Sequence, residues 1–512
     1  MHLKKFFKPI GSGGASAIVA FTSFLSYVVG LLRDKTIAYH FGTSTATDTY
    51  SASFLIPDML FNMFIAGALV AAFMPVFSEY LNKDKKEAFS LANTMLSSAS
   101  LVISVLAIIA FIFMDSIVPL LFPSVDAEAQ RSIIIMTRLM LPSALIFAIS
   151  NAIGNILMTY RHFLSFAISP VLYNLGIIVG VVFLNEQLGI YSAATGVLIG
   201  ATLHLLIRLV DIFSTGFKYR PELKVKHPGF KKIIKLMIPK SISLIAWQLN
   251  LYAFTIVGMR LTEGGIAAFN FARNIQSFPV SIFGIAFTVA IFPTLNSAIN
   301  NGRKDLYTSS IQTTIQRILF FTIPAAVGVL LLAEPITRLI LGGGAFDEKS
   351  IEMTALILTF FALSIPLEAL TTIFARSFYA LQNTITPMII NLFSLAFIAS
   401  ITVFIAPKFG IEWFSVGFTA GFLIYNILFI ALLSKHLKGF DFKKFFNSFF
   451  KICISSGIMG LAIYLAKSIN LPIHEAISGI TIGGAIYLLT SYLIKTPELN
   501  SVNMVIKRLL KK

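Results

Sequence analysis

The segment Ala71–Ser90, AAFMPVFSEYLNKDKKEAFS, is similar to a later segment of the chain, Val289–Ser309, VAIFPTLNSAINNGRKDLYTS. In both copies an apolar stretch with a central proline leads into a basic turn. A second pair, SPVLYNLGI from Ser169 and TPMIINLFS from Thr386, has nearly the same spacing along the chain. Two matches at one spacing indicate an internal repeat, in which the second half of the chain duplicates the first.

The composition indicates the environment of the repeated segments. Of the 512 residues, 56% are hydrophobic and 12% are charged, and the mean hydropathy is +0.84. Soluble domains carry about 25% charged residues. The 49 phenylalanines are spread along the whole length and are not gathered in one tail. We therefore predict an all-α polytopic membrane protein.

Apolar runs of the length that a spanning helix needs, about 20 residues, occur about fourteen times. They lie near residues 13–40, 49–79, 88–113, 130–158, 163–184, 188–212, 236–259, 265–297, 307–333, 350–380, 385–406, 411–434, 448–467 and 473–494. If the N-terminus is cytoplasmic, most lysines and arginines of the loops lie on the cytoplasmic side, as the positive-inside rule requires. The sequence thus predicts an even number of spans, with both termini in the cytoplasm.

The repeat divides these spans into two sets. Its copies begin with the first and the seventh span, and six helices in each copy leave both copies in the same orientation. We expect two pseudo-symmetric six-helix lobes, residues 1–225 and 226–440, followed by a helix pair with a basic tail, residues 441–512. Such repeats are typical of transporters whose substrate path runs between two lobes near mid-membrane.

Several classes of function are disfavoured. The single cysteine, Cys453, allows no intrachain disulfide or cysteine-based metal site, and the seven histidines show no paired metal-binding spacing. The glycine-rich Leu341–Phe346, LGGGAF, lacks the Lys-Ser/Thr of a phosphate-binding loop, so we interpret it as a turn. The net charge of +17 suits cytoplasmic loops that meet anionic lipid better than it suits nucleic acid. We expect a transporter without cofactor or metal centre, and not an enzyme.

Ionisable residues inside spans normally face a cavity or pair with one another. The first lobe has the stretch GLLRDK, which contains Arg33, Asp34 and Lys35, and then Asp48, whereas Arg273 stands inside a span of the second lobe. One arginine from each lobe suits an anionic substrate such as a phosphate or diphosphate, because arginine binds these groups through parallel hydrogen bonds. The alternative is an internal ion pair, such as that of Arg33 with Asp34 or Asp48.

The spans contain further charged residues. Lys240 lies one turn into the seventh span, Glu368 lies midway through the tenth, and Arg376 lies close to the cytoplasmic end of that span. Arg208 and Asp211 lie near a helix end, where we expect their charges to reach water.

Several stretches together resemble one known family, the MurJ/MviN lipid II flippases of the multidrug/oligosaccharidyl-lipid/polysaccharide exporter superfamily. The first are GLLRDKTIAYHFGTSTATDTYSASFLIPDML, from Gly30, and GALVAAFMPVFSEY, from Gly67. FARNIQSFPVSIFGIAFTVAIFPTL, from Phe271, resembles the family's eighth helix, and ARSFYALQNTITP, from Ala375, resembles its turn between helices ten and eleven. The family elements G-x-x-R-D, F-G-x-x-x-x-x-D and F-x-P-x-x-x-E-Y fall on Gly30, Arg33, Asp34, Phe41, Gly42, Asp48, Phe73, Pro75, Glu79 and Tyr80.

The resemblance covers essentially the whole chain and implies a fold and a function. The fold would be two six-helix lobes and a final helix pair that forms a lipid-facing groove. The function would be to move lipid II, the undecaprenyl-diphosphate-linked muropeptide, from the inner to the outer leaflet of the bacterial cytoplasmic membrane by alternating access. Lipid II and membrane lipids would be its partners. A monomer is expected, alone or together with the cell-wall synthesis machinery.

The site that the resemblance implies is cationic. Arg33 and Arg273 resemble functionally important arginines of the family, whereas Tyr27 and Asn62 stand where well-studied members usually hold arginine. Either a neighbouring cation such as Lys35 compensates for the missing charges, or the substrate differs. The candidate substrate-binding residues are Tyr27, Arg33, Asp34, Lys35, Asp48, Asn62, Lys240 and Arg273, with Arg376 as a further source of compensating charge.

Other substrates and the driving force stay open at this point. A different lipid-linked oligosaccharide, such as an O-antigen unit, would fit a site that lacks two arginines. A cation-coupled exporter of drugs would need a carboxylate-centred cavity, and a membrane scaffold would need no cavity. Sodium, protons or the membrane potential could drive transport, with Asn391, Gln248 and Asn250 as candidate cation ligands.

Overall fold

A computed structural model describes residues 12–64, 68–437, 439–468 and 475–499. The chain forms two compact units. The first is Met1–Ala267 together with Gly344–Phe346, and the second is Ala268–Gly343 together with Asp347–Lys512. In the described residues both units are built from α-helices, as the composition predicts.

The helices follow one another with short connections. Those that begin in the first unit are α1 Ser12–Phe41, α2 Thr45–Ser53, α3 Leu55–Phe64, α4 Ala68–Lys83, α5 Lys85–Leu121, α6 Ala127–Thr159, α7 Phe163–Leu188, α8 Tyr191–Ile212, α9 Pro228–Leu261 and α10 Gly265–Pro279. Those of the second unit are α11 Ala286–Asn300, α12 Lys304–Leu341, α13 Glu348–Ala362, α14 Ser364–Ala380, α15 Ile385–Ser400, α16 Ala406–Phe409, α17 Trp413–Leu433, α18 Phe442–Ser468 and α19 Ala476–Leu493. Helix α10 continues from Ala268 into the second unit, and π-helical turns at Val280–Ile285 and Ile401–Ile405 join α10 to α11 and α15 to α16.

The described residues contain eleven helices long and apolar enough to cross a membrane, or twelve if the bent pair α13 and α14 forms one span. The predicted spans near 13–40 and 49–79 are also helical, but they fall outside this count. The first carries the charged stretch of Arg33, and the described part of the second contains α2, α3 and α4. The all-helical membrane fold is therefore confirmed, while the number fourteen stays a prediction.

Local sequence signals account for where several helices begin. Asp84 precedes α5 and accepts a hydrogen bond from Lys86 N at 2.7 Å, and Asp126 precedes α6 and accepts one from Ala129 N at 2.8 Å. An aspartate in this position satisfies a backbone N–H that the helix leaves without a partner. The turns between spans thus contain the residues that start the next helix.

Glycines allow α7 and α8 to pack closely. The G-x-x-x-G spacing of Gly196 and Gly200 predicts such packing. In the structure a Cβ atom added at Gly176 of α7 would overlap the backbone of Gly200, and one added at Gly180 would overlap that of Gly196. The prediction is confirmed, and the two glycines of α7 are the partners that complete the contact.

The compact units and the predicted lobes divide the chain at different places. The predicted boundary follows the repeat and lies after residue 225, whereas the first unit extends to Ala267. It does so because α9 packs against α3, α4 and α5. A division by compactness does not test a division by repeat, so the three-part organisation stays a prediction.

The glycine-rich LGGGAF forms a turn, as predicted. Gly344 has φ +62°, a left-handed conformation that glycine adopts without strain. Ala345 N donates a hydrogen bond to Tyr39 O at 2.8 Å, and Phe346 is buried. The part of the turn from Gly344 to Phe346 therefore belongs to the first unit.

Candidate functional site

All three guanidinium nitrogens of Arg33, which lies on α1, donate hydrogen bonds. Its Nε and Nη2 donate to Asp34 Oδ1 at 3.0 and 2.7 Å, and its Nη1 donates to Asn174 Oδ1 at 3.0 Å. Asp34 is buried, while the Arg33 side chain remains 25% exposed. The internal ion pair that the sequence left open is thus present, and a quarter of the Arg33 side chain remains exposed.

Aromatic and amide side chains surround this pair in the first unit. Tyr50 of α2 and Tyr173 of α7 lie close enough to Arg33 for electrostatic interaction. Asn62 Nδ2 of α3 donates to Gln248 Oε1 of α9 at 3.2 Å. These side chains make this part of the interior polar, and Asn62 contributes an amide where the resemblance leads one to expect a cation.

Asp48 caps the start of α10. Its Oδ2 accepts a hydrogen bond from Gly264 N at 2.8 Å, and its Oδ1 accepts one from Ala267 N at 2.9 Å. These N–H groups belong to the start of α10, where a carboxylate is favoured by the exposed donors and by the helix dipole. The predicted alternative in which Asp48 pairs with Arg33 is wrong, because both oxygens of Asp48 already bind backbone.

Arg273 of α10 lies in a comparable setting within the second unit. Its Nη2 is 3.7 Å from Glu368 Oε1 of α14, and its guanidinium lies over the Phe418 ring at 4.5 Å from the centroid. Gln276 Nε2 donates both to Glu368 Oε2 and to Ser364 Oγ at 3.0 Å, which fixes the carboxylate. Glu368, which lies midway through the predicted tenth span, therefore offsets the charge of Arg273.

The remaining predicted site residues have different environments. Tyr27 and Lys35 are half-buried on α1, as is Asn391 on α15. Arg376 lies over the Phe292 ring at 5.4 Å within the second unit. The side chain of Lys240 lies outside the described residues.

The candidate cation ligands of α9 do not converge. Gln248 binds Asn62 of α3, whereas Asn250 Nδ2 donates to Ala246 O of its own helix at 3.2 Å. The described residues contain no group of three or more His, Cys, Asp or Glu that could hold a metal ion. The cation site that includes these two amides and Asn391 stays a prediction.

The interpretation of Arg208 and Asp211 as residues that reach water is wrong. They are 2% and 1% exposed. Arg208 donates to Ser169 Oγ at 3.0 Å and to Ser150 O at 2.9 Å, and Asp211 accepts a hydrogen bond from His162 Nδ1 at 2.8 Å. A position near a helix end predicts access to water only when no neighbouring helix covers it, and here α6 and α7 do.

Sequence reasoning missed Asn174 and Asp58 as residues of this interior. Asn174 is one of the residues that the two copies of the repeat share, and that signal could have identified it. Asp58 lies within LIPDML and is a carboxylate inside a predicted span, which is itself a signal of function.

Comparisons with known proteins agree with one another. The family model described as "Lipid II flippase MurJ" matches residues 37–480. The "Lipid II flippase MurJ" of Burkholderia cenocepacia is 28% identical over 374 residues, which is 71% of this chain and 72% of that protein. The "Probable lipid II flippase MurJ" of Thermotoga maritima is 27% identical over 487 residues, 94% of this chain and 96% of that one.

Solved structures extend this likeness to the fold. A structure described as "Lipid II flippase MurJ, inward closed conformation" has a TM-score of 0.80 at 27% identity and covers 93% of this chain and 98% of its own. A multidrug resistance MATE family transporter of the MOP superfamily has a TM-score of 0.66 at 15% identity, over 81% of this chain and 96% of that chain. At that identity the second likeness concerns the fold alone.

Proposed function

Because this chain belongs to the lipid II flippase MurJ family, we propose that it moves lipid II from the inner to the outer leaflet of the bacterial cytoplasmic membrane for peptidoglycan synthesis. The observation that carries the proposal is the family match over residues 37–480, which includes the motif residues from Phe41 to Tyr80 and the stretches that begin at Phe271 and Ala375. The solved MurJ structure covers nearly the whole chain and supports the same assignment.

Arg33 supplies the chemistry for the diphosphate in this proposal. Its guanidinium is permanently charged, and 25% of the side chain is exposed while Asp34 and Asn174 fix its orientation. A diphosphate oxygen would meet an oriented donor and would lose little entropy in ordering it. Asp34 keeps the empty site close to neutral, which lowers the cost of a charge inside a spanning segment.

Arg273 is the second proposed anion ligand. Its carboxylate neighbour Glu368 stands 3.7 Å away, beyond ordinary hydrogen-bond distance. This separation is longer than that of Arg33 from Asp34, which is 2.7 Å. Alternating access of the two repeats then provides the transport step of the proposal.

A second candidate substrate is another lipid-linked oligosaccharide. The observation that favours it is the neutral contact between Asn62 and Gln248, where a cation would add a ligand for the diphosphate. Loss of one charged hydrogen bond weakens binding by about 1.5–3 kcal/mol. Arginine introduced as Asn62→Arg would strengthen lipid II transport if the neutral residue only weakens the site, and would leave it unchanged if the substrate differs.

Complementation tests the proposal directly. A strain depleted of its own lipid II flippase should grow when this chain is expressed, and Arg33→Ala and Arg273→Ala should each abolish growth while membrane insertion stays normal. Arg138→Ala is the matched control, since Arg138 pairs with an exposed carboxylate, Asp115, at a helix surface. Failure of the wild-type chain to support growth despite normal expression would overturn the assignment of lipid II as substrate.

A further inference from the structure

Asp58 lies on the face of α3 that meets α9. Three residues before it, Leu55 O accepts a hydrogen bond from Tyr252 OH at 2.6 Å, and four residues after it, Asn62 donates to Gln248 at 3.2 Å. Residues three and four apart share one helix face. Asp58 is therefore placed between two contacts that join α3 to α9, in the polar interior of the first unit.

No side chain of the described residues donates a hydrogen bond to Asp58 or forms an ion pair with it. Tyr252, its neighbour across the helix contact, already donates its hydroxyl hydrogen to Leu55 O. Asp58 N donates to Phe54 O at 2.9 Å, because α2 and α3 are nearly continuous, and Pro57 has no N–H. The N–H of Asp58 and the hydroxyl of Tyr252 are therefore both used by backbone carbonyls and not by the Asp58 carboxylate.

The charges around Asp58 do not compensate it. Arg33, a permanent cation of the same unit, is bound to Asp34, so that pair is close to neutral. Tyr50, Tyr173 and Tyr252 are the titratable groups that interact with Asp58, from α2, α7 and α9, and none of them carries a positive charge. An ionised carboxylate without a partner inside a spanning segment is costly, and such groups are normally paired, protonated or bound to an ion.

We propose that Asp58 binds a small monovalent cation, H⁺ or Na⁺, in the interior of the first unit. The carboxylate is an oxygen ligand of the kind that hard cations take, and the tyrosine hydroxyls beside it supply further oxygens. The side chain is half-buried, so a small ion can reach it. The claim that this ion drives the flippase rests on the proposed function. The claim that Asp58 binds the ion does not.

Two measurements on the purified full chain in neutral-lipid nanodiscs distinguish Na⁺ from H⁺. The first compares unfolding temperatures in sodium chloride and in choline chloride at equal ionic strength. A ligand present at about 100 times its Kd raises the folded-to-unfolded ratio about 100-fold, so a bound Na⁺ gives a rising unfolding temperature. The second records the infrared C=O stretch of protonated carboxyl groups across mildly acidic to mildly alkaline pH.

Variants at position 58 test whether the sodium dependence or the carboxylic-acid band comes from Asp58. Asp58→Asn should remove the sodium dependence if Na⁺ binds, or the carboxylic-acid band if H⁺ binds, and Asp58→Ser serves the same purpose if the first variant does not fold. Asp115→Asn is the control, because Asp115 is an exposed acid paired with Arg138, and it should leave both signals intact. A wild-type chain that shows neither signal, or signals that persist in both Asp58 variants, would overturn the proposal. Neither measurement involves lipid II, so its outcome is independent of the complementation test.

Discussion

Each of the two arginines central to the proposed site has a carboxylate beside it. Arg33 is bound by Asp34 at 2.7 Å, and Arg273 lies 3.7 Å from Glu368. Ion pairs inside a protein lower the cost of burying each charge, but they also occupy the donors that a ligand would use. Each unit therefore contributes one arginine to the cationic site that the resemblance implies, and a neighbouring carboxylate already offsets the charge of that arginine.

Replacement of Arg33 by lysine should reduce flipping about tenfold or more. An ammonium group on a flexible chain cannot reproduce the planar fork that contacts Asp34 and Asn174 at once, and each charged hydrogen bond contributes about 1.5–3 kcal/mol. The measurement is the initial rate of lipid II transfer in reconstituted vesicles. Arg138→Lys is the control and should transfer at the wild-type rate. Equal rates for Arg33→Lys and the wild type would show that only the charge matters.

At the scale of elements, small residues and polar side chains determine which segments come together. Helices α7 and α8 approach until their glycine backbones touch, and Gly176 and Gly200 leave no space for a Cβ atom. The connection between α8 and α9, residues 216–227, contains no helix or strand and binds α5 through hydrogen bonds. There Arg220 N donates to Asn93 Oδ1 at 3.1 Å and Glu222 N donates to Ser97 Oγ at 3.2 Å.

Gly176→Ala should destabilise the first unit. The added methyl group would overlap the backbone of Gly200, and overpacking of this kind costs about 1–3 kcal/mol. Gly328→Ala in α12 is the matched control, since no atom lies within 4 Å of a Cβ added there. Unfolding temperatures of the two variants in detergent provide the measurement. If the two variants unfold at the same temperature, α7 and α8 do not pack as closely as described.

Glu222→Gln should make the docking of the connection on α5 less sensitive to acid. Ser90 Oγ donates to Glu222 Oε2 at 2.6 Å, and this bond, with Lys224 beside it, lowers the pKa of Glu222 below its ordinary value of 4.5. A lowered pKa means that the ionised carboxylate stabilises the folded state above the ordinary pKa and that this contribution is lost as the pH falls below it. The difference in unfolding temperature between wild type and variant should therefore shrink on acidification. If the difference in unfolding temperature stays constant down to acidic pH, the ionised Glu222 carboxylate does not stabilise the folded state.

At the scale of the whole molecule, the described residues form two helical units, and a solved MurJ structure of equal extent has the same fold. The chain belongs to that family although its identity to the solved protein is only 27%. Apolar helices of the right length can be built from many sequences, so the architecture is maintained while most side chains change. The predicted topology rests on the distribution of lysine and arginine, which is a property of the entire chain.

The predicted topology can be checked with single cysteines in a Cys453→Ser background. Cysteine in place of the exposed Lys226, between α8 and α9, should react with a membrane-impermeant maleimide only from the cytoplasmic side. Cysteine in place of the exposed Lys349, at the start of α13, should react only from the outside. Reaction of both positions from one side would mean that the assumed number of spans between them is wrong.

The sequence by itself determined the membrane environment, the helical spans, the repeat and the family. These features are local or additive, because span length, mean hydropathy, glycine spacing and motif residues can be read without knowledge of neighbours in space. Arg33 could likewise be selected because a charge inside an apolar run requires a reason.

Only the tertiary structure decided which groups meet. Arg33 contacts Asn174, which is 141 residues away in the chain, and Asp48 caps a helix more than two hundred residues later. Arg208 is buried because α6 and α7 cover it, and Asp58 faces α9 without a cation of its own. The physical reason is that the cost of a buried charge depends on the donors and acceptors that the packed helices bring to it, and no local pattern records them.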